Sequence, residues 1–350
     1  MNKRTRYFLT GSAAVLAAGI CIGLVAYYAG GFQPVAASAV ANELRYVPAN
    51  ASLVAYADVR SIMDSDLRLR IRQSIPAQAH GQKEFYEHTG IDIEKDIDYV
   101  VAALTPGGTG HGAPLVVARG RFNDTHLEGL IREHGGEVQD YRGKRIVVAP
   151  KKGEHAAEGA KAGSIVLAFL ETGMIAIGEQ SAIKSAIDAS LSAQSVTGNS
   201  EMMDLVGDIG RSNNAWAVGR FDAIAQQANL HRNLPPQASS QLNLVKWFAA
   251  AGHINGGVSG SLRAEARDEQ AAQELRKGID GILALARLAG GSDPKASAVL
   301  QSLQLSGSGK SIVLSFTVPA ELIELALPPP AQLAPPAAPP EPPAPPQPRM

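Results

Sequence analysis

Short apolar runs alternate with amphipathic stretches along most of this chain. Runs of about four to eight aliphatic and β-branched residues between Gly, Pro and charged clusters are typical of strands. They occur at 53–57, 99–104, 114–118, 145–149, 165–169, 174–177, 215–221, 254–266, 300–305 and 312–318. The last two runs flank a Gly-rich and Ser-rich turn and predict a hairpin.

Apolar residues at helical spacing predict helices between these runs. The strongest pattern covers Asp268–Leu288, where Asp268 is the predicted N-cap. Its predicted buried face consists of Leu275, Ile279, Ile282, Leu283 and Ala286. Another helix follows Asn123 or Asp124, and a short one begins at Pro319.

The order of these elements predicts the fold class. Each half of the body reads as strand, helix, two strands, helix, two strands, which favours an α+β fold with an antiparallel sheet and helices on one face. Ala55–Ile62 can be laid on Ala217–Ile224, although few residues coincide. This weak similarity leaves open whether the halves, 43–195 and 196–327, are two related units.

The N-terminus carries a membrane signal. Three basic residues precede Phe8–Phe32, a run of 25 residues without charge, and roughly 20 apolar residues suffice for a helix to cross a bilayer. Residues 1–32 therefore predict a cytoplasmic stub and a transmembrane anchor, followed by a linker at 33–42. The basic flank predicts a cytoplasmic N-terminus and an exported, periplasmic body.

Two other interpretations of this segment remain open. A signal peptidase could cleave after Ala39 or Ala41, since small residues stand at both sites, but the apolar run is longer than a signal peptide needs. Lipid modification of Cys21 is disfavoured, because Ile20 stands where a small residue is required. The length favours the uncleaved anchor.

The C-terminus differs from the body in composition. Pro328–Met350 contains 12 of the 22 prolines, so it cannot form a packed core and favours an extended polyproline II conformation. It predicts a disordered tail, with or without a binding partner. The exported α+β body then covers residues 43–327.

Charge and cysteine content limit the classes of binding partner and the means by which the body can be stabilised. The chain has 32 basic and 33 acidic residues, a net charge of −1, so nothing favours nucleic acid as a partner. The one cysteine, Cys21, lies in the predicted anchor. The body must therefore be stabilised by its apolar core and not by disulfides.

Two glycine-rich fragments resemble phosphate-binding loops. Ser308–Ser311 ends like a P-loop, but Gln304 stands where the first glycine is required, and a strand follows instead of a helix. Gly108–Gly110 would need a third glycine where Ala113 stands. Both fragments are therefore interpreted as hairpin loops.

Metal and nucleophile motifs fail in the same way. Alternating acidic residues at 92–98 resemble a calcium loop, but Ile97 and Ala103 occupy the positions of its glycine and its bidentate glutamate. The eight histidines include no H-E-x-x-H motif, and Gly257–Ser261 lacks the last glycine of a nucleophile elbow. The sequence therefore assigns no catalytic, cofactor-binding or metal-ligating residue and implies no cofactor.

Several segments resemble a group of uncharacterised bacterial single-pass envelope proteins that have an exported α+β body. They are Leu44–Val59, Gly90–Asp98, Val117–Phe122 and Leu303–Gly307. The resemblance spans most of the body and implies a single-pass protein of the bacterial envelope. No established activity of that group carries over to this chain.

Two functions follow as hypotheses. The first is a membrane-anchored extracytoplasmic module that binds or organises a protein, lipid or glycan ligand. The alternative is an envelope hydrolase with a dispersed active site. The failed motif tests favour the non-enzymatic module, and the sequence leaves the ligand and the oligomeric state open.

Overall fold

The first apolar run of the body forms a strand near the middle of a wide sheet. The computed structural model describes residues 42–74, 86, 90–105, 112–133, 135–148, 165–209, 213–227, 243–290 and 294–326. The predicted anchor, Phe8–Phe32, and the predicted tail, Pro328–Met350, lie outside these residues. Among the helices formed by the residues described, none is long and apolar enough to cross a membrane.

The described strands form one antiparallel sheet of twelve, in the order β11-β12-β10-β9-β8-β1-β2-β3-β7-β6-β5-β4. The strands are β1 Leu53–Ala57, β2 Ile97–Thr105, β3 Ala113–Gly120, β4 Glu137–Tyr141, β5 Lys144–Val148, β6 Ile165–Glu171, β7 Met174–Glu179, β8 Ala215–Arg220, β9 Val245–Ile254, β10 Gly257–Ala266, β11 Gln304–Ser306 and β12 Ser311–Pro319. The α+β class with a large antiparallel sheet is confirmed.

Helices connect these strands where polar caps interrupt the apolar runs. They are α1 Val59–Met63, α2 Asp66–Ser74, α3 Ile93–Asp96, α4 Asp124–Glu133, α5 Gln180–Ser192, α6 Ser200–Ile209, α7 Phe221–Gln227, α8 Glu269–Gly290, α9 Pro294–Ser302 and α10 Ala320–Ala326. The carboxylate of Asp268 accepts from the backbone N–H of Ala271 at 2.8 Å. Asn123 accepts from the backbone N–H of His126 at 3.0 Å, so both predicted caps are confirmed.

Helices lie on both faces of the sheet, so the predicted single helical layer is wrong. Consecutive residues of a strand point to opposite faces. In β9 the indole of Trp247 contacts Glu201 of α6, whereas the next residue, Phe248, makes an edge contact with Phe221 of α7. We call the two sides the Trp247 face and the Phe248 face. Strands that are apolar on both sides need cover on both sides.

The main core lies on the Trp247 face. Tyr56 of β1 stacks on Trp216 of β8, with ring centroids 5.6 Å apart, and Val54, Val101 and Val117 are buried beside them. A second, smaller cluster lies beneath α8 on the Phe248 face and contains Ala266, Ala271, Ala272 and Ile312. Both tryptophans, Trp216 and Trp247, are core residues.

Within the sheet, one strand pair joins the two halves of the body. β1 pairs with β8 in an antiparallel register in which Ala55 lies opposite Ala217. On one side of this pair, β1, β2 and β3 form a meander, α4 follows, and the chain returns with β7 beside β3. On the other side, β8, β9 and β10 form a meander, α8 follows, and the chain returns with β12 beside β10.

Three local predictions need correction. Ile282, which was predicted to face the core, is 68% exposed, because the small cluster under α8 extends along the helix only as far as Ile279. The predicted strand 300–305 is helical as far as Ser302, since α9 packs against β12 before the chain turns. The strand predicted at 254–266 begins later, at Gly257, because a tight turn after Ile254 separates β9 from β10.

Candidate functional site

Five apolar side chains form a row across the middle of the Phe248 face. Successive register pairs join Ala217, Ala55, Ala102, Val116 and Ile177. Because residues opposite each other in a sheet point to the same side, all five project from the same face. None of them is fully buried, and Ile177 is 37% exposed.

A second row lies beside the first. Leu53 of β1 pairs with Leu104 of β2, which pairs with Pro114 of β3. The two leucines are half-buried and Pro114 is exposed. We call the two rows together the open patch, which consists of Leu53, Ala55, Ala102, Leu104, Pro114, Val116, Ile177 and Ala217.

The helices of the Phe248 face lie to either side of the open patch. On one side, Glu128 of α4 accepts from Arg145 of β5 at 2.8 Å. On the other side, α7 lies over the β8–β9 pair, where a Cβ on Gly219 would be 2.8 Å from Cδ1 of Ile224. The strands between these helices keep their aliphatic side chains partly exposed.

The opposite side of the same strands is sealed. Val54 and Tyr56 alternate with the open-patch residues of β1 and are buried, as are Val101 of β2 and Val117 of β3. The strands of the open patch are also interior strands, with both edges paired. A peptide therefore cannot add to them as a further strand, and the patch offers side-chain contact alone.

A polar cluster joins the first turn of the body to the sheet on the Trp247 face. Nε of Arg119 donates to Oε1 of Glu43 at 2.6 Å, and its Nη2 lies 3.8 Å from Oε2 of Glu171. The hydroxyl of Tyr46 donates to Glu171 at 3.1 Å, and Arg45 forms an ion pair with the same carboxylate. We call these five residues the clasp.

The clasp is closed to solvent at its centre. The side chain of Glu43 is 0% exposed, and its Oε2 has no hydrogen-bond partner among the residues described. Burial raises the pKa of Glu43 above its usual value, and the neighbouring Arg119 opposes this effect only in part. A sealed carboxylate of this kind suits a structural contact better than attack on a substrate.

The tyrosines next to the clasp are held neutral. Burial raises the pKa of Tyr56 and of Tyr99 above the ordinary range, with the negative charges of Asp58 and Glu43 adding to the effect. The two rings lie 6.2 Å apart in a tilted arrangement. Neither hydroxyl is therefore activated as a nucleophile.

The acidic run at 92–98 is distributed among local contacts. Asp92 caps α3, Asp96 accepts from the backbone N–H of Asp92 at 2.8 Å, and Asp98 pairs with Arg60. Among the residues described, no group of His, Cys, Asp and Glu could hold a metal ion. The carboxylates thus serve a helix start and an ion pair.

Other residues considered in the sequence do not converge on a site. The fragment 308–311 forms the turn between β11 and β12, with the backbone N–H of Ser311 donating to Ser308 at 3.0 Å. Ser259 lies on β10, and His126 lies on α4 on a different part of the sheet. The fragment 108–110 lies outside the described residues. The open patch was missed because its alanines and leucines read as core positions.

Comparison with known proteins gives little further guidance. No protein-family model matches this chain, and no curated protein matches it. Among solved structures, the chain is similar to TP0453 in its crystal form I, at 9% identity and a TM-score of 0.45. That match covers 81% of this chain and 95% of TP0453. At this level the likeness supports no assignment of function.

Proposed function

We propose that this protein is a membrane-anchored, extracytoplasmic binding module of the bacterial envelope, and that the open patch is its ligand-binding surface. The partly exposed aliphatic rows on interior strands are the observation that carries this proposal. Apolar surface collected in one place on a protein is typical of an interaction site. The uncharged N-terminal run supports the anchor.

The chemistry of the open patch favours an apolar ligand surface over a glycan. Its eight side chains carry no hydroxyl, amide or charge, whereas recognition of a polar ligand needs precisely placed polar groups. Ala217, Ala55 and Ala102 are neighbours in the first row, where Val116 lies next to Ala102, and Leu53 lies beside Ala55 in the second row. An aliphatic chain or an apolar protein segment would fit such an uncharged surface.

The position of the body relative to the membrane can be tested with reporter fusions. A reporter enzyme that is active only in the cytoplasm, fused after Leu327, should be silent, whereas one that needs export should be active at the same point. The reason is that the basic flank keeps the N-terminus in the cytoplasm. Full activity of the cytoplasmic reporter would overturn the proposed orientation.

The open patch can be tested by photo-crosslinking in intact cells. A diazirine amino acid replaces Ile177 in the full chain, and a matched variant carries it at Leu191, which is exposed on α5 outside the open patch. We expect adducts with lipid or protein at position 177 to exceed those at 191 several-fold. Equal yields at the two positions would contradict a binding role for the patch.

We also propose that the body consists of two related units, 43–195 and 196–327. The matching order of meander, helix and returning strands on the two sides of the β1–β8 pair supports this. Helices α4 and α8 follow the third strand of their meanders and both lie on the Phe248 face. If rotation of one half about the Ala55–Ala217 pair fails to superpose these helices, the proposal fails.

A further inference from the structure

The C-terminal half of α8 exposes an apolar surface that its own body does not cover. Ile282, Leu285 and Leu288 are 68%, 63% and 82% exposed. Gly281 and Ala284 between them are exposed as well. Isolated exposed leucines are ordinary, but three large side chains within two turns form a patch.

Helical geometry explains why Gly281, Leu285 and Leu288 are left outside. Ala272, Leu275 and Ile279 lie on the side of α8 that packs on the small cluster with Ile312. At 3.6 residues per turn, Gly281, Leu285 and Leu288 lie along the opposite side. We call Gly281, Ile282, Ala284, Leu285 and Leu288 the α8 stripe.

Two opposite charges border the α8 stripe. Asp280 and Arg287 are seven residues apart, close to two full turns, so they lie on the same flank of the helix with Ala284 between them. Both side chains are exposed. Nη2 of Arg287 donates to the carbonyl of Leu303 at 3.1 Å.

We propose that the α8 stripe docks against the α8 stripe of a second copy of this chain, antiparallel and about a two-fold axis near Ala284. In this arrangement Asp280 of each copy lies about four residues from the axis, and Arg287 of the other copy lies about three residues from it on the same side. The two side chains are therefore at the same height along the helices to within roughly 1.5 Å. The same flank of each helix then faces its counterpart in the other copy. Asp280 of each copy pairs with Arg287 of the other, so two ion pairs border one edge of the contact. A contact of this kind is isologous and closes as a dimer.

The charges favour a second copy over a membrane surface. A helix that lies on an anionic bilayer carries an excess of Lys and Arg around its apolar face. The C-terminal half of α8 carries one acidic residue, Asp280, and one basic residue, Arg287. These two charges complement each other in a second copy, whereas a negatively charged membrane surface would attract only one of them. Gly281 and Ala284 in the stripe also permit two helices to approach closely.

Disulfide crosslinking in the full chain tests the contact. Cys21→Ala removes the native thiol, and Ala284→Cys places a new one near the proposed axis; Gln273→Cys, which is exposed on α8 away from the stripe, is the matched control. On oxidation in native membranes we expect about fivefold more dimer from position 284, because a disulfide requires closely spaced Cα atoms. Equal or absent dimer at position 284 overturns the proposal.

Charge reversal tests the orientation independently. Asp280→Arg and Arg287→Asp each set like charges against each other across the axis and should lower the dimer yield from Ala284→Cys, with dissociation constants raised roughly tenfold. The double variant restores both pairs and should restore the yield. A double variant that dimerises no better than the singles contradicts the antiparallel arrangement.

A membrane-facing stripe gives a different pattern of thiol protection. Ala284→Cys in a dimer resists a water-soluble maleimide both in native membranes and after transfer of the full chain to detergent. If the thiol at position 284 is protected from the maleimide in native membranes but not in detergent, and no crosslinked dimer forms, the α8 stripe faces the bilayer. That result would overturn the proposal.

Discussion

Nε of Arg119 donates to Oε1 of Glu43 at 2.6 Å, although the two residues are 76 positions apart. Glu43 lies in the first turn of the described chain, directly after the predicted linker to the membrane. Arg119 lies near the end of β3 in the middle of the sheet. This contact therefore fixes the start of the body to an interior strand of the sheet.

Removal of Arg119 should destabilise the body more than removal of any exposed partner in the clasp. Arg119→Ala leaves the buried carboxylate of Glu43 without its cation, and we expect a loss of about 3 kcal/mol in the free energy of unfolding. Arg45→Ala is the control, because Arg45 pairs with Glu171 at the surface, where such pairs contribute about 0 to 1 kcal/mol. Urea denaturation measures both variants, and similar losses would contradict the buried role of Arg119.

Glu43 should give the free energy of unfolding a specific dependence on pH. Because burial raises the folded-state pKa of Glu43 above 4.5, the folded protein holds this proton more tightly than the unfolded chain does. The free energy of unfolding therefore falls as pH rises from about 4.5 through the folded-state pKa. In Glu43→Gln the contribution of Glu43 to this decrease is absent. The free energy of unfolding of the variant should therefore increase relative to that of the wild type as pH rises. If the urea midpoints of the variant and the wild type differ by the same amount at every pH from about 4.5 upwards, this prediction is wrong.

Two glycines should respond in opposite ways to alanine. A Cβ on Gly120 would lie 2.0 Å from the backbone carbonyl oxygen of Asp96, which cannot move without disturbing the start of β2. We expect Gly120→Ala to cost about 2 kcal/mol or more. Gly129 in α4 has no atom within 4 Å of such a Cβ, so Gly129→Ala should be neutral or stabilise by up to about 1 kcal/mol. Thermal denaturation distinguishes the two, and a neutral Gly120→Ala would be the contrary result.

Local signals in the sequence predicted local structure well. The caps at Asn123 and Asp268 depend on a side chain and a backbone group three residues away, so they can be identified without tertiary information. The turn Asn255-Gly256 between β9 and β10 was also identifiable, because Asn-Gly is a strong hairpin signal. It was missed because the residues after it alternate well enough to be interpreted as one strand.

Long-range relationships could not be predicted in this way. The strands are apolar on both sides, so their pattern does not say which side a given helix covers. The same pattern makes Ala55 and Ala102 look like core residues, although the return path of the chain leaves them partly exposed. The pairing of Glu43 with Arg119 depends on the whole order of the sheet, and neither residue belongs to a motif.

The body should fold without its two ends. Residues 43–327 contain no cysteine, and both core clusters are formed by residues within that range. We therefore expect this fragment to be soluble, to unfold cooperatively in urea and to be indifferent to reductant. A fragment that folds only when Pro328–Met350 is restored would contradict the prediction of a disordered tail outside the packed core.

Function should depend on the open patch and not on single polar residues. Ala102→Glu places a charge in the partly exposed centre of the patch, so it should abolish most of the photo-adduct formed from position 177, because a charge on an apolar contact surface is costly to desolvate. Circular dichroism confirms that this variant is folded. Alanine substitutions should leave the adduct intact at His88, His126, His134, Ser259 and Lys310.

Deletion of Pro328–Met350 should weaken capture of a partner in a pull-down from crosslinked envelopes, since an extended tail of about 3.1 Å per residue widens the reach of the body. Loss of the adduct on substitution of one of the histidines, of Ser259 or of Lys310, with folding and export unchanged, would contradict the proposed surface mechanism. Such a result would direct attention to the alternative of an envelope hydrolase.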